Sequence, residues 1–110
     1  MDVLTRLLEG LQWEQYKGTG IEAIADCWSL IAFIQNSSGQ HARAYASATN
    51  GLEVHPKHVD SLFTRGYALT EQGEYNPAIA DLEEALNFTT DAVKQAQARR
   101  RLESVRRRKG

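Results

Sequence analysis

Apolar residues recur at spacings of three and four along most of the chain, the signature of helices that bury one face. Val3, Leu4, Leu7, Leu8 and Leu11, extended by Trp13 and Tyr16, predict a helix over 2–16 with Asp2 as its cap. Lys17-Gly18-Thr19-Gly20 ends that pattern and places Thr19 to cap the next helix. Ile21, Ile24, Ala25, Trp28, Ile31, Ala32 and Ile34 then predict a helix over 21–36, with Phe33 off the main stripe. Ser37-Ser38-Gly39 reads as a turn, and an Ala-rich helix follows over 40–53. His55-Pro56-Lys57 closes it, because proline cannot continue a helix and turns the preceding residue away from helical angles. Residues 58–71 and 75–88 form a second helical pair around Gly73, with Pro77 in the first turn of the later helix, where a missing N–H is tolerated. A final helix over 91–107 carries only the thin apolar line of Ala92, Val93, Ala96, Ala98, Leu102 and Val105. Such a helix packs on one side and faces water on the other.

The two pairs are related by a shift of 34 residues. Gly73 falls on Gly39, Ala78 on Ala44, Leu86 on Leu52, Leu62 on Trp28, Ala85 on Gly51 and Gly66 on Ala32. Self-similarity at this period marks a stacked repeat. Small residues at these positions suit helices that must approach within about 8–10 Å to bury their stripes. Glycine inside a helix costs roughly 1 kcal/mol against alanine, so Gly51 and Gly66 read as packing requirements.

The pattern resembles the tetratricopeptide repeat family. The resemblance is carried by Leu62, Gly66, Gly73, Tyr75, Ala78, Leu82 and Ala85 in the second unit. In the first unit Trp28, Ala32, Gly39, Ala44, Gly51 and Pro56 carry it, so that it spans residues 25 to about 92. The chain departs from the family at Thr90, which stands where the first unit has Pro56, and at His41 and Ala48, which stand where the second unit has Tyr75 and Leu82. The fold this implies is all-α: antiparallel helix-turn-helix repeats in a right-handed superhelical stack of about six helices. It would form one domain, with an N-terminal cap helix over 1–20, repeats over 21–57 and 58–90, and a basic C-terminal cap helix over 91–110.

The resemblance also implies that the first helix of each pair lines a concave groove. The groove residues would be Asp26, Ser29, Phe33 and Asn36, then Asp60, Phe63, Tyr67 and Thr70, then Lys94, Gln97 and Arg101. Phe33, Phe63 and Tyr67 lie off the stripes expected for packing. Exposed aromatics in a concavity supply contact area at low entropic cost. Some members of the family clamp the terminal carboxylate of chaperones with basic side chains. The matching positions here hold Asp26, Ser29, Phe33, Asp60 and Thr64, which offer no basic clamp, and Asp26 and Asp60 would repel a carboxylate. The implied role is a non-catalytic adaptor whose partner is a peptide or an apolar, weakly basic helix of another protein. A homodimer and tail-mediated attachment to nucleic acid or anionic membrane are the alternatives.

Composition narrows these readings. The chain has 110 residues, 42% hydrophobic and 25% charged, which suits one modest core. No apolar run is long enough to span a bilayer, no leader pattern is visible, and the single Cys27 excludes an internal disulfide, so a cytoplasmic setting is expected. Charge is uneven: residues 1–90 carry 5 Lys and Arg against 12 Asp and Glu, a balance of −7, and residues 91–110 carry 8 against 2, a balance of +6. Clusters at 99–101 and 106–109 could meet phosphates, but no aromatic residue follows Arg99 to stack on bases, and cations at a helix end oppose its partial negative charge. That argues against nucleic acid and membrane as partners. Cys27 with His41, His55 or His58 reads as a packing residue rather than a nucleophile. His55 and His58 are only two ligands without a third in view, so no metal and no cofactor are expected. The adjacent Glu83 and Glu84 point apart on a helix, and no small-molecule substrate is implied.

Overall fold

A computed structural model describes residues 20–110 of the chain. These residues form α1 (Ile21–Ser37), α2 (His41–Val54), α3 (Val59–Glu71), α4 (Tyr75–Phe88) and α5 (Ala92–Lys109). The described residues are thus all-α, without a strand. The expected helix over 2–16, its Asp2 cap and the capping role of Thr19 lie outside the described residues. None of the described helices is long and apolar enough to cross a membrane.

Helix ends follow local chemistry. His58 caps α3, its Nδ1 accepting from the Ser61 N–H at 3.3 Å. Asp91 caps α5, its carboxylate accepting from the Val93 N–H at 2.8 Å. At the opposite ends of α1 and α3 the chain reverses through Gly39 (φ 77) and Gly73 (φ 80). This left-handed conformation is strained for residues with a Cβ.

The 34-residue period reappears in the backbone hydrogen bonds. Gly39 N–H donates to Asn36 C=O at 3.0 Å, and Gly73 N–H to Thr70 C=O at 3.1 Å. Gln40 N–H donates to Gln35 C=O and Glu74 N–H to Leu69 C=O, both at 2.8 Å. At the far ends, His55 N–H reaches Gly51 C=O and Thr89 N–H reaches Ala85 C=O. Each of these bonds in the first hairpin has its counterpart 34 positions on.

Consecutive helices pack side by side, and α1 also packs on α3. The largest cluster joins Leu62, Phe63 and Leu69 of α3 to Ala78, Leu82 and Ala85 of α4 and to Ala98, Leu102 and Val105 of α5. Trp28, Ile31 and Val54 form a second cluster, and Ala32, Ala44, Ala48 and Ala68 a third. Gly51 meets α3 so closely that an added Cβ would stand 2.5 Å from Ser61 Oγ and 3.3 Å from Trp28 Cβ. At Gly66 it would stand 3.2 Å from Leu82 Cγ. Among the described residues no buried side-chain nitrogen or oxygen lacks a hydrogen-bond partner.

Candidate functional site

A cavity of about 620 Å³ opens between α1, α3 and α5. Successive positions on the three helices meet it in a 34-residue ladder, because each helix presents the same face. Ser29, Phe63 and Gln97 form one rung, and Phe33, Tyr67 and Arg101 another. Asp26 and Asp60 line its end. Of the eleven residues expected in a groove, nine therefore border one cavity: Asp26, Ser29, Phe33, Asn36, Asp60, Phe63, Tyr67, Gln97 and Arg101.

Two do not. Thr70 is buried, its hydroxyl donating to the Gly66 carbonyl at 2.8 Å, because it lies on the side of α3 that turns inward. Lys94 borders a neighbouring cavity instead, where its ammonium reaches Asp60 at 3.2 Å. Thr64, at one of the positions that match the family's clamp, also lines the main cavity, as do Leu30 and Ser37, which the sequence reading does not single out. Leu30 and Ser37 belong to the same face of α1 as Asp26 and Phe33 by three- and four-residue spacing, which was the available signal.

The aromatics divide. Phe33 is 60% exposed and Leu30 54%, and Tyr67 is 42% exposed, its ring 6.0 Å from that of His41. Phe63, expected off the packing stripe, is only 9% exposed and belongs to the main core cluster. The reason is α5: Ala98 and Leu102 pack in the same cluster, and the Arg101 guanidinium sits 5.5 Å from the Phe63 ring. Phe63 is thus the floor of the cavity rather than a free contact.

The polar side chains are already engaged. Asn36 Nδ2 donates to the Thr64 carbonyl at 3.0 Å while its Oδ1 meets His41 Nδ1 at 3.0 Å, tying α1 to α3 and α2. Ser29 Oγ donates to the Asp26 carbonyl. Asp26 is 2.6 Å from His58 Nε2, and Asp60 is matched by Lys94. The unpaired acidity expected in the groove is therefore reduced, although both carboxylates remain on its rim.

The basic helix is tied to the acidic body. Arg108 reaches Glu71 at 3.1 Å, and this hydrogen bond, with the nearby Tyr75, raises the guanidinium above its ordinary range. Arg106 lies 4.0 Å from Glu83, and Arg107 pairs with Glu103 one turn earlier. Cys27 is half-buried against the cluster of Trp28 and Ile31. The polar contacts of His41, His55 and His58 go to Asn36, Glu22, and Asp26 with Ser61 respectively. Comparison of the chain with known protein families, with curated proteins and with solved structures found no match.

Proposed function

We propose that this chain is a tetratricopeptide-like, non-catalytic adaptor whose helical pairs stack in a right-handed superhelix and whose cavity receives a helical peptide of a protein partner. One observation carries the reading: Leu30, Phe33 and Tyr67 stand exposed around one concave site of about 620 Å³ whose floor is Phe63. Apolar side chains gathered in a concavity with a few fixed polar groups are the usual form of a recognition site. The repeated hydrogen bonds at the two turns support the repeat architecture on which the groove depends. Asp26 and Asp60 at the rim favour an apolar helix with weakly basic flanks over an acidic one. Tail-mediated attachment to phosphates has less support, because Arg106 and Arg108 face Glu83 and Glu71, and Arg101 stacks over Phe63.

The test is a titration of isotope-labelled protein with two synthetic amphipathic helices of equal apolar content, one basic and one acidic. Saturable resonance shifts at Leu30, Phe33 and Tyr67 with the basic peptide, lost in the Phe33→Ala/Tyr67→Ala double variant, are the expected result. Shifts with neither peptide, or shifts unchanged in the variant, would sink the groove. A concentration-dependent dimer mass abolished by that variant would instead assign the same surface to a second copy of the chain.

A further inference from the structure

Where α1 begins, the turn between α2 and α3 brings two imidazoles against two carboxylates. His55 Nε2 lies 2.7 Å from Glu22, and His58 Nε2 lies 2.6 Å from Asp26. The two rings are 5.5 Å apart, centre to centre. Ligand atoms of Glu22, Asp26 and His58 all fall within 4.8 Å of one another. His55 and His58 alone gave too few ligands to expect a metal; the fold supplies the others. All four side chains line one cavity, apart from the peptide groove except for the shared Asp26 and Asp60.

We propose that Glu22, Asp26, His55 and His58 form a binding site for a divalent transition-metal ion such as zinc, clasping the start of α1 to the α2–α3 turn. Paired imidazole nitrogens and carboxylate oxygens are the donor set that zinc takes, at about 2.0–2.2 Å from the ion. Two hydrogen-bonded imidazole–carboxylate pairs hold protons where such an ion would sit. On binding, the ion takes the Nε2 lone pairs, and the proton each neutral ring carried there shifts to Nδ1. His58 is suited to the exchange. The ring is 3% exposed, so its position is set by packing, and Ser61 Oγ lies 2.7 Å from Nδ1. With the ion on Nε2 the proton moves to Nδ1, which gives up the long 3.3 Å bond from the Ser61 N–H and donates to Ser61 Oγ instead; such a partner on the far nitrogen is the usual way a ligating imidazole is oriented. Glu22 and Asp26 are largely exposed and one helical turn apart, so their carboxylates can swing to open room for an ion. Lys94 faces the same cavity and is held by Asp60.

The experiment is calorimetric titration of the chelator-treated full chain with zinc, and absorption spectroscopy with cobalt as the coloured substitute. One ion should bind per chain, with tetrahedral cobalt bands. Affinity should fall by ~10-fold or more in Glu22→Gln, at an exposed position, and in His55→Gln, at a half-buried one, with the melting curve of the latter recorded beside its titration. His58→Ala removes the cap of α3 as well, so its melting curve must accompany its titration. Calcium should not compete, because it takes oxygen ligands rather than imidazole. Absence of stoichiometric zinc binding, affinity unchanged from the parent in both Glu22→Gln and His55→Gln, or displacement by calcium would each overturn the proposal.

Discussion

The hairpins α1–α2 and α3–α4 share a turn, its hydrogen-bond pattern and a second helix of 14 residues, yet they fill the space between their helices by different chemistry. In the second hairpin Gly66 faces the bulky Leu82; in the first, 34 residues earlier, Ala32 and Ala48 occupy those places. The methyl that Ala32 has over Gly66 makes up part of the bulk that Ala48 lacks beside Leu82, and Ala32 and Ala48 pack in one cluster with Ala44 and Ala68. The second hairpin also carries an ion pair, Arg65 to Asp81, with both hydrogen bonds at 2.8 Å. That hydrogen bonding raises the Arg65 guanidinium above its ordinary range, against the opposing pull of burial. The corresponding places in the first hairpin hold Ile31, fully buried, and Ser47, which donates to Gln35 at 2.8 Å. A repeat thus conserves backbone geometry while its two copies draw on unlike interactions, and they should respond unlike to mutation.

The largest contrast is expected in the apolar layer. Leu82→Ala should cost about 3 kcal/mol, whereas Ala48→Gly at the matching place should cost about 1 kcal/mol, read from denaturant unfolding. Equal losses would show that the first hairpin is no less dependent on its packing. Next comes the ion pair: Asp81→Asn leaves the half-buried Arg65 guanidinium without its countercharge, with an amide oxygen and Thr49 at 3.5 Å to donate to, and should cost about 2 kcal/mol, lowered from the fully buried case because Arg65 is partly wet. A cost near zero would reassign that pair to the solvated surface.

Gly66→Ala is subtler. The added methyl would press on Leu82 Cγ and should cost about 1 kcal/mol in the native background. In Leu82→Ala the same change should instead stabilise, by up to ~1 kcal/mol of helix propensity, since the pair then copies Ala32 and Ala48. Additive effects in this double cycle would break the account of traded volume. The smallest effect is expected at Phe33→Ala, within about 0.5 kcal/mol of the parent, whereas Phe63→Ala one repeat step from Ser29 should cost about 3 kcal/mol. Comparable melting for the two phenylalanine variants would contradict the division into exposed wall and buried floor.

Much of the site was legible before any coordinates. The match of Asp26, Ser29 and Phe33 on α1 to Asp60, Phe63 and Tyr67 on α3 follows from the 34-residue period, a property of the chain, and the resemblance to the repeat family implies that this face lines a groove. The exposure of each rung is not legible there. Phe63 lies off the stripe expected for packing, but α5 brings a third surface that covers it. Thr70 stands at a groove position that the resemblance implies, yet its hydroxyl bonds back to the Gly66 carbonyl. The histidine cluster was illegible for another reason. Glu22 is 33 residues from His55 and Asp26 is 32 from His58, and only the packing of α1 on α3 brings them together.

The residue pattern by itself determined where helices start and stop, since caps, prolines and left-handed glycines act within a few residues of themselves. It also determined which positions recur, because a period is a property of order along the chain. Which recurring positions face water, and which distant polar groups become neighbours, was decided only when the helices came together. Burial and charge pairing depend on what arrives from elsewhere in the chain, and no local rule contains that.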